Sequence, residues 1–322
     1  MTLVKHAALV LLSGSVTCGA WLESALAQTY PDKPVRLLVG YAAGGASDTA
    51  ARVLAPRLSE KLAQQFVVDN RPGAGTVVAT SALAQARADG YTLMMTNSAF
   101  GANPALHSKL AYDALKDFVS VGLLATVPNV LIVIASLPVK SPGDLIALVK
   151  SRPGYINHAH SGAGSSGYLA SEVFKYDTRI NFVQIPYQGG PQTLGALMGG
   201  EAHMAFLSVS TSLPLVQSGK VRALAVTSIK RNAAMPDVPT VAETVVPGFE
   251  VNDWHGVIAP AGTPKEIVLT LNREINRALA LPDVKARLAT IGAEPAGGTP
   301  EKMAALVRAE IGRWKSILKP VD

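Results

Sequence analysis

The sequence lacks most of what would commit it to metal, redox or membrane chemistry. Its 322 residues include one cysteine, Cys18, which excludes a disulfide framework, a cysteine-based zinc site and an iron–sulfur cluster. Charged residues are only 16% and aromatics 6%, and Ile, Leu and Val run along the whole length, so intrinsic disorder is excluded. The 28 glycines and 21 prolines follow no period, which rules out collagen-like and coiled-coil arrangements. After the first 25 residues no apolar run approaches the roughly 20 that span a bilayer, so no stable membrane insertion is expected. Neither G-x-x-x-x-G-K-[ST] nor Gly-x-Ser-x-Gly occurs, which removes a P-loop and a hydrolase nucleophile elbow. The 29 basic residues against 23 acidic ones give +6, a balance favouring anionic ligands. No basic cluster points to nucleic acid.

What is present begins with an address. Residues 1–27 read as a secretory signal: Lys5 in the n-region, an apolar stretch over 7–12, and Ala25-Leu26-Ala27 as a small-x-small cleavage site. Ser13, Gly14, Ser15 and Glu23 interrupt the stretch too often for a membrane anchor, and Thr17 before Cys18 fits a lipoprotein signal poorly. Cleavage after Ala27 would also remove the cysteine. An exported, thiol-free chain points to a bacterial periplasm.

From there, strand-like runs alternate with helical ones, the pattern of parallel α/β layers. Short runs rich in apolar and β-branched residues occur at 35–39, 65–68, 91–95, 130–134, 181–185, 204–207 and 221–226. Ser141-Pro142-Gly143-Asp144, Thr263-Pro264-Lys265-Glu266 and Thr299-Pro300-Glu301 each offer a hydroxyl cap followed by proline; the first two add a carboxylate at N3. After Thr263, the residues Ile267, Leu271, Ile275, Ala278 and Leu279 fall on one helical face. A strand, a glycine-rich turn and a helix at 35–62 are echoed near 155–175, as in two similar lobes. Apolar runs around 121–135 and 254–259 are candidates for strands crossing between them.

Four turns carry the chemistry: Tyr41-Ala42-Ala43-Gly44-Gly45-Ala46-Ser47-Asp48, Arg71-Pro72-Gly73-Ala74-Gly75-Thr76, Ser161-Gly162-Ala163-Gly164-Ser165-Ser166-Gly167 and Tyr187-Gln188-Gly189-Gly190-Pro191. Each is expected to follow a strand and open a helix. Such a turn presents unpaired backbone N–H groups at the positive end of a helix dipole, and glycine lets a ligand approach the backbone. Gly162, Gly164 and Gly167 match G-x-G-x-x-G. The next strand, however, ends in Pro186-Tyr187-Gln188 with no acid for a ribose hydroxyl, so a dinucleotide is not expected.

Three of the turns lack Lys and Arg. A dipole contributes about 0.3–1 kcal/mol, up to ~2 when partly buried, against the roughly 8 kcal/mol of micromolar binding. Several charge-assisted hydrogen bonds, at about 1.5–3 kcal/mol each, must supply the rest. Ser47, Ser98, Ser161, Ser165 and backbone amides are the natural donors, and they suit a carboxylate better than a triphosphate. Asp48 would repel that ligand. It should cap local N–H groups or meet a hydroxyl or amino group.

Other residues invite a function without requiring one. His158 and His160 share a strand face and with His203 or His255 could hold a metal, although surface or satisfied histidines are the simpler reading. Asp253-Trp254-His255 has the look of a catalytic set, but no serine or cysteine partner is identifiable. Trp254 is either a cleft-facing aromatic or a core residue.

The motifs together resemble a known family, the extracytoplasmic solute receptors of tripartite tricarboxylate transporters, or Bug-type receptors. The resemblance runs from about Tyr30 to Trp314. Its most specific parts are residues 236–243 (PDVPTVAE), Pro247-Gly248-Phe249-Glu250, Trp254-x-Gly256 and residues 259–264 (APAGTP). Supporting parts are Tyr30-Pro31-Asp32-Lys33-Pro34, Gly44-Gly45-x-x-Asp48, residues 70–75 (NRPGAG), residues 89–93 (DGYTL) and Pro186-Tyr187-x-Gly189.

The resemblance implies a two-lobe α/β periplasmic binding protein with two interlobe crossovers. Residues 28–125 plus 251–322 would form one lobe and 126–250 the other. It implies a non-catalytic monomer without cofactor or metal, closing on a small organic carboxylate and delivering it to inner-membrane transporter subunits. The turn of Gly44, Gly45 and Asp48 would face that of Ser161 to Ser166. The expected ligand-binding set is Tyr41, Ala43, Gly44, Gly45, Ser47, Asp48, Thr96, Ser98, Ser161, Ala163, Gly164, Ser165, Ser166, Tyr187, Gln188, Gly189, His203 and Trp254. Departures from the family pattern are Ala43 for a proline, Tyr168 for a histidine and His203 for an aspartate; the last two bear on the distal cleft. The alternatives are a sensor subunit for a membrane histidine kinase and a secreted hydrolase using His255 or the paired histidines.

Overall fold

The computed structural model describes residues 30–187 and 189–320. The expected signal segment, its cleavage site and Gln188 lie outside them. Along the chain come β1 (Val35–Val39), α1 (Ala46–Leu62), β2 (Phe66–Asn70), a short 3-10 turn (Ala74–Thr76), α2 (Val77–Ala84), β3 (Thr92–Asn97), α3 (Ser98–Leu106) and the long β4 (Phe118–Ile134). Then follow α4 (Pro142–Ser151), β5 (Asn157–His160), α5 (Ser166–Thr178), β6 (Val183–Pro186), α6 (Gly190–Met198), β7 (Met204–Ser208), α7 (Val209–Gln217), β8 (Val221–Val226) and α8 (Val241–Thr244). The chain closes with β9 (Asn252–Pro260), α9 (Lys265–Ala280), α10 (Pro282–Thr290), β10 (Glu294–Pro295) and α11 (Pro300–Ile317).

One mixed sheet threads these elements in the order β2-β1-β3-β9-β4-β7-β5-β6, with β8 and β10 also paired to β4. β4 is the axis of the molecule. Its residues 118–128 pair with β9, whereas Asn129 to Ile134 pair with β7 and β8. The return passage lies alongside: the Val251 amide donates to the Thr227 carbonyl at 3.1 Å, and Asn252 then opens β9 opposite Pro128.

Side chains alternate along β4, and its odd positions show how the sheet is shared. Ala125 and Val127 join α1, α9 and α10 in one core, while Leu131 and Val133 join α4 and α5 in another. Two further cores cover the opposite faces, one under α2, α3 and α11 and one under α6 and α7. α11 braces both halves, with Met303, Val307 and Ile311 in one core and Trp314, together with Leu318 just past the helix end, in another.

Local signals are mostly realised. The reciprocal capping box of Ser141 and Asp144 forms, and Thr299 accepts from the Lys302 amide. Thr263 departs from expectation. Its hydroxyl donates to the Pro260 carbonyl at 2.8 Å, closing the turn after β9, so α9 starts one residue later with Pro264 at N-cap. The apolar face of α9 is as expected: Leu271, Ile275, Ala278 and Leu279 are buried, with Ile267 packed at its edge. α1 continues through Pro56. No described helix is long and apolar enough to cross a membrane.

Candidate functional site

All four glycine-rich turns lie where a strand ends and a helix begins: β1 to α1, β2 to the 3-10 turn, β5 to α5 and β6 to α6. Two more junctions have no intervening loop at all, β3 to α3 at Asn97-Ser98 and β7 to α7 at Ser208-Val209. Parallel strands put these helix N-termini at the carboxyl ends of the sheet, where α/β folds bind ligands.

The first turn is built around Asp48. Its carboxylate accepts from the Gly44 amide (2.9 Å), from Arg52 Nε (2.9 and 3.0 Å) and from Asn70 Nδ2 (2.9 Å). Burial pushes its pKa upward, but Arg52, the Gly44 amide and Asn70 outweigh that and hold it below the usual range. The carboxylate is thereby fully engaged, as is the Gly44 N–H. Gly44 sits at φ +86°, and a side chain there would point into open space with nothing within 4 Å. Ala43 is exposed beside it, and Gly45 caps α1 without a side-chain hydrogen bond. Asp48→Ala is expected to cost about 2 kcal/mol, because it strands one amide and one carboxamide donor. Urea denaturation checks this, and a loss under ~0.5 kcal/mol would show that water replaces the carboxylate.

Behind this turn, β3 and β9 contribute a buried polar layer. Ser47 Oγ lies 3.4 Å from His255 Nδ1. Asp253 accepts from the Ser98 amide (3.1 Å), the Ser98 hydroxyl (2.7 Å) and the Trp254 amide (2.9 Å), with Asn97 Nδ2 at 3.5 Å. Asn97 Nδ2 is equally near the Tyr41 hydroxyl, whose pKa burial pushes up to about 12. The serine partners missing from the sequence motif are therefore Ser47 and Ser98. They bond to different members of the Asp-Trp-His run, so no single relay through serine, histidine and aspartate forms.

The second turn carries Ser161, Ala163, Gly164, Ser165 and Ser166. Ser165 caps α5 by accepting from the Tyr168 amide (3.4 Å), and Ser161 Oγ lies 3.4 Å from Thr193 Oγ1. Ser166 Oγ donates to Asn129 Oδ1 at 3.2 Å, tying the α5 N-terminus to the crossing strand. The halves meet here: a Cβ on Gly75 would lie 3.3 Å from the Ala163 carbonyl, and one on Gly164 would lie 3.1 Å from Leu106. At Gly162, as at Gly44, a Cβ would meet nothing within 4 Å. Gly189 caps α6, again without a side-chain bond.

Four of the expected residues are placed elsewhere or not described. Trp254 alternates with Asp253 and His255 and so turns to the other face; it is buried, and its indole N–H donates to Glu310 Oε2 at 3.1 Å. Thr96 lies opposite Gly256 on that same outer face and is also buried. His203 precedes β7, at the amino end of the strands, where its Nδ1 accepts from the Asn157 amide (3.0 Å) and its ring packs on Tyr155. That puts it at the end opposite the glycine turns. Gln188 falls outside the described residues. Tyr187 is present, but its hydroxyl donates to Glu201 (3.1 Å), beyond the far end of α6.

The histidine pair is interior. His158 and His160 stack at 5.7 Å, confirming a shared face. His158 Nδ1 meets Gln184 Oε1 at 2.5 Å and its Nε2 accepts from the Phe206 amide, so both nitrogens are satisfied by protein. His203 bonds to Asn157, beside His158, while His255 belongs to β9, and among the described residues no three of His, Cys, Asp or Glu are grouped so as to hold a metal ion. Three residues outside the expected set, Asn97, Asn129 and His255, contribute to the layer beneath the turns.

Comparison with known proteins identifies the family. The family described as tripartite tricarboxylate transporter family receptor matches residues 50–322. Protein BugT of Bordetella pertussis is 37% identical over 91% of this chain and 90% of its own length. Among solved structures, Rpa4515 of R. palustris with adipate is 40% identical at TM-score 0.83, covering 89% of this chain and 97% of that one. MatC from Rhodopseudomonas palustris with bound malate is 34% identical at TM-score 0.81, covering 89% and 99%. The chain belongs to the tripartite tricarboxylate transporter receptor family, whose two-lobe α/β binding-protein fold it shares.

Proposed function

We propose that this protein is a periplasmic receptor that captures a small organic carboxylate between its lobes and hands it to a tripartite tricarboxylate-type transporter. The lobes are residues 28–125 with 251–322, and residues 126–250. The observation that carries the reading is the pairing of two helix N-termini across the crossing strand. Ser47 of α1 reaches His255, which lies beside Ala125 of β4, and Ser166 of α5 reaches Asn129. Ala125 and Asn129 are four residues apart, about 13 Å at the rise of a strand. An acid of a few carbons fits between dipoles spaced in that way. Backbone amides and hydroxyls at both ends would hold it, with closure stabilised because the ligand touches both lobes.

The same geometry defines what the site refuses. The two carboxylates that reach these turns, Asp48 and Asp253, are engaged by internal donors. Among the described residues neither carboxylate is left free to pair with an ammonium group, so acids without an amino group are the favoured ligands. The malate and adipate bound by the two solved relatives are of that kind.

A thermal-shift screen of unfolded, ligand-stripped and refolded protein tests this. The panel comprises mono-, di- and tricarboxylates, aromatic acids, aspartate and glutamate. At about 100 times its dissociation constant a true ligand adds roughly 2.7 kcal/mol, a rise of about 4 °C for a chain of this size. Shifts with carboxylates but not with amino acids are expected. A panel without any shift removes the reading, and shifts confined to amino acids reverse the selectivity.

A further inference from the structure

The odd-numbered residues of β4 that face α1 and α5 read Ala125, Val127, Asn129, Leu131, Val133. Four are apolar and buried in two separate cores. Asn129 interrupts the stripe where the strand passes from one core to the other, and it is only 1% exposed. Its backbone is fixed in both directions by Thr227. The Asn129 amide donates to Thr227 Oγ1 (2.9 Å), and its carbonyl accepts from the Thr227 amide (2.8 Å) and hydroxyl (3.1 Å). The side chain is held as firmly on one side only: Oδ1 accepts from Ser166 at the N-terminus of α5, whereas Nδ2 is buried with no partner among the described residues.

A buried carboxamide with one satisfied and one unsatisfied end calls for an acceptor, because an N–H removed from water and left unpaired is destabilising. The place where it is left unpaired is the N-terminus of a thirteen-residue helix, which itself favours an anion. Packing alone would be served by a leucine, continuing the stripe.

We propose that Asn129 is a specificity-determining residue of the carboxylate site, donating from Nδ2 to an oxygen of the bound acid while Ser166 fixes the carboxamide from the other side. This assignment rests on the carboxylate reading above and adds a residue that lies in neither glycine-rich turn. It places one donor on the crossing strand itself, so the ligand is read at the hinge as well as from the lobes. Binding therefore reports directly to the element that the lobes turn about.

Calorimetry with malate and adipate as probes separates the possibilities. Asn129→Asp keeps the shape and the acceptor for Ser166 but turns the donor into an oxygen facing an anion; affinity should fall at least a hundredfold. Asn129→Ser keeps a small donor and should lose about tenfold or less. Wild-type protein that binds either acid, with Asn129→Asp matching it within twofold, overturns this assignment and leaves the carboxylate reading intact. A wild type that binds neither acid, nor any other of the panel, removes both. The wild type also gives a reading independent of variant folding. In 15N-labelled protein, the Asn129 side-chain amide pair, assigned by its absence from the Asn129→Ser spectrum or by sequential assignment, should move on saturation with the bound acid. A pair that stays in place at saturation overturns the proposal.

Discussion

Gly167→Ala is expected to destabilise the protein by roughly 3 kcal/mol or more, at the upper end of what overpacking costs. A Cβ at this position would lie 2.1 Å from the carbonyl oxygen of Phe206 and 3.1 Å from its carbonyl carbon. Those are backbone atoms in β7, the strand against which α5 packs, and they cannot rotate aside as a flexible side-chain tip would. The helix has to move off the sheet by about 1 Å or the strand has to buckle, and either change displaces Ser165 and Ser166. Equilibrium urea denaturation should therefore show a lower midpoint at unchanged slope, and carboxylate affinity should fall with it. Gly162→Ala is the control: it meets no atom within 4 Å but sits at φ +98°, so only the backbone term of about 1–2 kcal/mol applies. Equal costs for the two variants would show that the steric argument is wrong.

Acidification should produce the other large effect. Burial pushes the His158 imidazole down to about 3, against the partial support of Gln184 and with the His160 and Lys175 charges adding to the fall. In the folded chain the ring stays neutral, whereas in the unfolded chain it takes up a proton below about 6.5. Stability is thus fully present above pH 6.5 and drains away as pH falls toward 3, at about 1.4 kcal/mol per pH unit for this one group. His160 and His255, also lowered chiefly by burial, steepen the same slope. Chemical denaturation from pH 7 to pH 4 measures it, and His158→Gln should flatten the curve by close to one proton. A wild-type stability that is level across that range would show that water reaches the ring.

Both predictions concern residues that the sequence displayed without explaining. Gly167 is the third glycine of a G-x-G-x-x-G run whose dinucleotide reading fails for want of an acid after the next strand. The glycine still does what that position does in such motifs, letting helix and strand backbones touch. His158 and His160 were legible as residues sharing a strand face. Their burial was not, since it depends on α5 and on Phe182 and Phe206 closing over them.

The family signature shows a similar division. Residues 236–243 hold the reciprocal capping box of Thr240 and Glu243 at the start of α8, together with the Thr240 bridge to β8, so this most recognisable stretch is a structural joint. Trp254-x-Gly256 is another: Trp254 donates to Glu310, which also accepts from Trp314, and a Cβ on Gly256 would strike Met303. An aromatic in a signature motif gives no indication of which side of its strand meets the ligand. His203, an exception to the family pattern, proves to lie at the wrong end of the strands.

The alternation of strand and helix, the glycine-rich turns at the strand ends, and the family are all legible in the amino-acid order. These follow from local periodicity, from caps and turns a few residues long, and from motifs in a fixed order. Which polar groups keep a bonding position open emerges first from the folded packing. Asp48 is engaged by Gly44, Arg52 and Asn70, Asp253 by Ser98, and Asn129 keeps a donor unpaired between two cores. Hydrogen-bond satisfaction is a property of neighbours brought together from distant positions, 155 residues apart for Ser98 and Asp253, and no local pattern records it.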